Sequence, residues 1–164
     1  MDEELIGLGG GCHWCTEAVF QGLRGAASVE QGFAAASEPD DAFAEAVRVR
    51  FDPAALPLDV LLEVHLRTHS STSAHKLRGK YRSAVYVHDE DQAERARAAL
   101  TRLAAGFDQP LVTRVLPFAA FRPSDARYRD YYATDPARPF CRTYIEPKLA
   151  RLRQEFAAHA APAA

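Results

Sequence analysis

The sequence predicts an α+β fold, a ferredoxin-like β-α-β-β-α-β two-layer sandwich with an extra helix, an extra strand and a C-terminal extension. Three observations carry this: a glycine cluster between an apolar run and a helical pattern, one strictly alternating segment, and an order of elements matching that unit. Leu5-Ile6-Gly7-Leu8 reads as a short buried strand ending at Gly9-Gly10-Gly11. From His13 to Leu23, Ala18, Val19 and Leu23 recur at helical spacing. A strand around Val29 to Phe33 follows, then a loop at Ser37-Glu38-Pro39-Asp40-Asp41. Ala46 to Phe51 alternates, with Val47, Val49 and Phe51 on one face, and Asp52-Pro53 closes it.

Pro57 suits the first turn of a helix whose Leu58, Leu61, Leu62, His65, Leu66 and His69 share a face. After a polar loop from Ser70 to Lys80, Tyr81 to Val87 is a strand. Asp89 then caps a helix through Ala104 with Ala93, Ala96, Leu100 and Leu103 inward, ended by Gly106. Leu111 to Leu116 alternates as a last strand. An aromatic tail carrying Phe118, Phe121, Tyr128, Tyr131, Tyr132, Phe140 and Tyr144 leads to a helix from Pro147 to His159. No repeat or linker interrupts the chain, so residues 1–164 read as a single domain with a frayed end from about Ala160.

With 20 Lys+Arg against 22 Asp+Glu, a formal charge of −2 gives no basic face for nucleic acid or a membrane surface. The longest apolar runs, such as Ala84-Val85-Tyr86-Val87, fall far short of the ~20 residues that span a bilayer. Met1-Asp2-Glu3-Glu4 is acidic where a secretory signal is basic, which predicts a cytoplasmic protein, expected as a monomer. Three cysteines in a reducing compartment point to redox chemistry, metal binding or burial rather than to structural disulfides.

Cys12 stands where a strand turns into a helix. Backbone N–H groups and the helix dipole there favour the thiolate, and the glycines before it allow a substrate to approach the backbone. Cys15 follows three residues on, a spacing of ~5 Å between Cα atoms that permits a disulfide. Read alone, this C-x-x-C fits a redox pair, a general thiol-disulfide oxidoreductase, or half of a zinc site completed by His65 or His69, which are i and i+4. The last of these would make the chain a metal-binding protein rather than an enzyme. On an apolar stripe, however, His65 and His69 suit a core or cleft wall, while His75 and His88 read as loop and surface residues.

Several colinear stretches carry a more specific resemblance. Gly10-Gly11-Cys12-His13-Trp14-Cys15-Thr16-Glu17 is similar to the G-C-F-W signature of the A-type peptide methionine sulfoxide reductases, which continues with a variable and an acidic residue. Ala44-Glu45-Ala46-Val47-Arg48-Val49-Arg50-Phe51-Asp52-Pro53 resembles that family's H-A-E-V-V-x-V-x-F-D-P segment, and Tyr81-Arg82-Ser83-Ala84 its Y-R-S-A strand. Val29 to Phe33 resembles a glycine-aromatic strand, and Phe140-Cys141-Arg142 with Ile145, Pro147, Lys148 and Leu149 the C-terminal region.

The resemblance implies thiol-dependent reduction of methionine-S-sulfoxide, free or in proteins, with no cofactor and with a thioredoxin-like reductant. In that scheme Cys12 attacks the sulfoxide sulfur, Glu45 protonates its oxygen and Tyr81 hydrogen-bonds that oxygen. Trp14 walls the methyl pocket, with His13 and Phe33 beside it, and Cys15 and Cys141 are candidate resolving thiols. The chain departs from the pattern where His13 replaces a pocket Phe and Phe33 replaces a Tyr. The Ser70 to Lys80 loop lacks the N-D-x-G-T-Q motif, and Ser124-Asp125-Ala126-Arg127-Tyr128 lacks the histidine of A-E-x-Y-H.

Overall fold

The computed structural model describes residues 3–74 and 79–161. His75 and the end of the expected frayed tail, residues 162–164, lie outside the described residues. Strand β1 (Glu4–Gly9) leads through the glycine turn into helix α1 (His13–Gln21), followed by β2 (Ala26–Ala36) and β3 (Ala44–Phe51). Helix α2 (Leu58–Arg67), strand β4 (Ala84–Val87), helix α3 (Glu90–Ala104) and strand β5 (Arg114–Pro123) complete the central part. The remainder holds a 3-10 turn at Ala126–Tyr128, the single-turn helix α4 (Tyr131–Thr134), a π-helical turn at Cys141–Ile145 and helix α5 (Glu146–Glu155).

The mixed α/β content agrees with expectation, but the open sandwich does not. The strands close into a barrel in the order β1-β3-β2-β5-β4. Strand β5 does this by running antiparallel to β2, with Ala34 opposite Phe121, and parallel to β4, with Val85 beside Val115. Both edges of the first four strands are thereby paired, which removes the unsatisfied rows of N–H and C=O that an open sheet leaves. Tight closure suits the small side chains of Ala34, Ala36, Ala46 and Ala84, which pack with Leu116 around the fully buried Tyr86. Arg82 donates to the Tyr86 hydroxyl at 3.1 Å, so the phenol's polar end is satisfied in the interior.

On the opposite strand face Ile6, Leu8, Val47, Val49, Phe51 and Val85 form the main core with the helices. Phe20 of α1 and Leu61 and Leu62 of α2 are wholly buried there, each contributing about 2 kcal/mol on area grounds. At the start of α3, Asp89 accepts from the Gln92 N–H at 2.7 Å, the cap that its position suggests.

Boundaries moved at several elements, and the strand expected around Val29 to Phe33 runs from Ala26 to Ala36. The strand expected from Tyr81 begins at Ala84, and the one expected over Leu111 to Leu116 runs from Arg114 to Pro123 because its partners on β2 lie opposite that stretch. Helix α2 ends at Arg67, leaving His69 beyond it, and α5 ends at Glu155 rather than near His159. Ala160 is not frayed: it forms an antiparallel bridge with Leu23, and the Ala161 N–H donates to the Gly22 carbonyl at 2.7 Å. Among the described residues, no helix is long and apolar enough to cross a membrane.

Candidate active site

The turn after β1 sets the site. Gly10 has φ 152°, and a methyl group there would stand 2.5 Å from the His69 ring, so conformation and close approach both call for glycine. That ring is fixed: His69 Nδ1 donates to the His65 carbonyl, and Nε2 is hydrogen-bonded to the Ser83 hydroxyl at 2.8 Å. His65 Nε2 donates to the Gly9 carbonyl at 2.8 Å, locking the strand end onto α2. These histidines therefore brace the glycine turn. Among the described residues no group of three or more His, Cys, Asp or Glu side chains is placed to hold a metal ion. His88 is exposed and stacks on Phe118 with ring centroids 4.7 Å apart.

Cys12 occupies the N-cap of α1, half-buried, and its side chain makes no capping bond. The Cys15 thiol donates to its sulfur and draws the Cys12 pKa below its ordinary value, against the opposing effect of burial. The N–H groups of Trp14 and Cys15 act in the same direction as that hydrogen bond. Cys15 shows the complementary behaviour, its pKa raised because its proton is committed to Cys12 and because it is buried. The pair's two pKa values are thus pushed apart, Cys12 down and Cys15 up. Both cysteines border a cavity of about 30 Å³, shared with His65, His69, Thr68 and Lys148, which is room for about one water. Lys148 of α5 donates to the Thr68 carbonyl; burial lowers its pKa, and the nearby cysteine charges offset part of that.

Glu45 is only 7 % exposed although carboxylates rarely are so buried. Strict alternation explains it: Glu45 continues the inward row of Val47, Val49 and Phe51 and pairs across the ladder with Phe33. Its Oε1 accepts the His13 backbone N–H at 3.1 Å and lies 3.5 Å from His13 Nε2, while Oε2 lies 3.5 Å from Lys80 Nζ. Lys80 in turn sits 5.2 Å from the Tyr81 ring, so Tyr81 reaches the same corner through its neighbour. The His13 ring meets Phe33 edge-on at 5.1 Å, with Arg122 over the other ring at 5.0 Å.

Trp14 lies against the tail. Its indole stacks on Tyr131 at 4.1 Å with the planes 2° apart, and Phe140 meets it edge-on at 5.2 Å. Glu17, to which the sequence reading assigned no role, holds this cover down: its buried carboxyl accepts from Gln31 Nε2 at 2.9 Å and from the Asp130 and Tyr131 N–H groups at 2.9 and 3.2 Å. Burial raises its pKa and these donors counter part of the rise. The legible signal is an acidic residue inside the cysteine motif on the helix face of Phe20, three residues on. Glu17→Ala should strand those donors and loosen the tail, lowering stability by about 2–4 kcal/mol. Because Trp14 is the chain's only tryptophan, its emission should shift red as its stacking is lost, and unchanged emission would contradict this anchoring.

Cys141 is fully buried in the π-helical turn, and its thiol donates to the Asp135 carbonyl at 3.6 Å. Burial pushes its pKa up. Its charge, were it ionised, would act on Cys15, whereas the effects resolved at Cys12 come from Cys15, Trp14 and Glu45. The structure therefore gathers Cys12, His13, Trp14, Cys15, Phe33 and Glu45 around one turn, with Tyr81 at its margin and Cys141 behind Cys15.

A thiol at a helix start with a lowered pKa, a second thiol one turn on and a buried carboxyl held by the next residue's N–H are the parts of a thiol-based redox site on a closed mixed α/β barrel. Over residues 4–160 the sequence matches the family described as peptide methionine sulfoxide reductase, and the chain belongs to that family. Peptide methionine sulfoxide reductase MsrA of Thermus thermophilus is 39% identical over 170 residues, covering 95% of this chain and 97% of its own. Methionine sulfoxide reductase A of Corynebacterium diphtheriae superposes with a TM-score of 0.68 at 26% identity, over 82% of this chain and 76% of the other. The reduced form of Mxr1 from Saccharomyces cerevisiae shares the fold, with a TM-score of 0.75 at 21% identity over 87% and 91% of the two chains.

Proposed function

We propose that the chain, acting as a single reductase domain, reduces methionine-S-sulfoxide, free or peptide-bound, to methionine. The observation that carries this reading is the pairing of a Cys12 thiol biased toward its anion with the buried Glu45 carboxyl anchored by the N–H of the very next residue. The Cys12 thiolate attacks the sulfoxide sulfur while Glu45 delivers a proton to the oxygen, with Tyr81 as a hydrogen-bond donor to it. The protonated oxygen passes from the substrate sulfur to the Cys12 sulfur, and the sulfur–sulfur bond made on attack breaks with its electron pair going to methionine. Cys12 is oxidised by two electrons to the sulfenic acid as the sulfoxide is reduced by two. Trp14 and Phe33 wall the methyl group. In a steady-state assay with dithiothreitol, the S epimer should be consumed and the R epimer should not; consumption of neither would sink the reading.

The sulfenic acid condenses with the Cys15 thiol, releasing water and forming a Cys12–Cys15 disulfide. Two features favour Cys15 over Cys141 as the first partner: its S–H already addresses the Cys12 sulfur, and conversion of Cys12 to a neutral sulfenic acid removes the charge that held the Cys15 proton. Lys148, whose charge lowers the Cys15 pKa, then assists thiolate formation. Cys141 exchanges with Cys15 afterwards, and a thioredoxin-like dithiol restores the thiols. After one equivalent of sulfoxide without reductant, peptide mass mapping of Cys141→Ser should find a Cys12–Cys15 bond. Accumulated sulfenic acid in Cys141→Ser, with normal disulfide formation in Cys15→Ser, would reverse the order.

A further inference from the structure

We propose that His13 and Glu45 hold one proton between them, and that His13 is the positioning residue that keeps this proton available to the sulfoxide oxygen through Glu45. The inference rests on the reductase reading and adds to it the group that sets the proton supply. His13 Nδ1 lies 2.8 Å from the Gly32 carbonyl, which can only accept, so Nδ1 carries a hydrogen in every protonation state that keeps this bond. The titrating position is therefore Nε2. That atom faces Glu45 Oε1 at 3.5 Å, within a space where both side chains are 9 % exposed. At this ion-pair separation a single proton can reside on the carboxyl or on Nε2, as an imidazolium beside a carboxylate.

The backbone supports this arrangement independently of the rings. The His13 N–H donates to the same Oε1 at 3.1 Å, so imidazole and carboxyl are attached to one rigid helix start and cannot drift apart without breaking that bond. Oε2 is left for the open side, where Lys80 Nζ stands 3.5 Å away on a side chain that is 62 % exposed. The other charged or titratable groups around the pair are Cys12 on the same turn, Tyr81 beside Lys80 and Arg122 over Phe33. Lys80 Nζ is the cation placed beside the carboxyl, and Arg122 stands over Phe33. The adjacent imidazole gives the pair a second basic position for the proton.

Each turnover removes that proton: Glu45 gives it to the sulfoxide oxygen, the S–O bond breaks, and the pair is left as neutral imidazole and carboxylate. Solvent reloads it at Nε2 or at the carboxyl. The active form is the singly protonated pair, so the rate of methionine release falls as pH rises through the apparent pKa of the pair. Removing the imidazole leaves a carboxyl that gives up its proton at lower pH, so the alkaline limb must move down.

The test is methionine release in a single turnover of pre-reduced protein, without added reductant, followed across about pH 5.5 to 9.5 so that both limbs are seen. His13→Phe keeps an aromatic ring against Phe33 and removes Nε2; His13→Asn keeps polarity and removes titration, and serves if the first variant folds poorly. Either variant should shift the alkaline limb down by about one pH unit or more, while alkylation of Cys12 by iodoacetamide shows whether the thiol's own titration has moved. An alkaline limb at the wild-type position in a folded variant overturns the proposal, as does a shift accounted for entirely by Cys12. If the wild-type protein releases no methionine at any pH, the reductase reading itself fails and this inference with it.

Discussion

Cys12→Ser should abolish methionine formation while leaving the fold intact or slightly firmer. The chemistry demands an anion at this position, and a serine hydroxyl near neutral pH supplies almost none, whereas the Cys12 thiol is drawn toward ionisation by the Cys15 S–H and two backbone N–H groups. The structural alternative makes an opposite statement about stability. Cys12 sits at an N-cap without a side-chain capping bond, and serine is among the preferred residues there, worth about 1 kcal/mol when it caps. Activity and melting temperature together therefore separate the two: lost turnover with an unchanged or raised Tm supports the nucleophile, and retained turnover rejects it.

Glu45→Gln should slow single-turnover methionine release by about 100-fold or more, the usual weight of a positioned general acid. Glutamine retains an oxygen for the His13 N–H, so the start of α1 keeps its geometry. It cannot deliver a carboxylic proton. The change also removes a negative charge that now raises the Cys12 pKa, so Cys12 should be alkylated as fast as in the wild type or faster at neutral pH. A slow reduction with an undiminished nucleophile isolates the proton step. An unchanged rate would move that step to Tyr81 or to water.

Much of this site is legible from local patterns. The glycine cluster before Cys12 and the spacing to Cys15 put both thiols on the first turn of a helix, and the alternation through Val47, Val49 and Phe51 already turns Glu45 inward. Barrel closure is less legible, since it depends on β5 meeting both β2 and β4, a non-local pairing that no period within Arg114 to Pro123 announces. The same stretch places Pro117 and paired alanines where a regular strand would alternate, which is why the expected strand fell a few residues early. Glu17 and Lys148 escaped for another reason: each acts on groups distant in sequence, Glu17 on the Asp130 and Tyr131 amides and Lys148 on Thr68 and the cysteines. His13 stood out only against the resemblance, as a titratable ring in an aromatic position, and its contact with Glu45 gives that difference a chemical meaning.

In the proposed cycle one Cys12 thiolate takes one oxygen from one sulfoxide and is then closed by a second thiol of the same chain. Pre-reduced protein mixed with one equivalent of methionine-S-sulfoxide and no reductant should release one methionine per chain and lose two titratable thiols. The intact mass should fall by the two hydrogens of a disulfide. Absence of released methionine, or its release with all three thiols still titratable, would contradict the account.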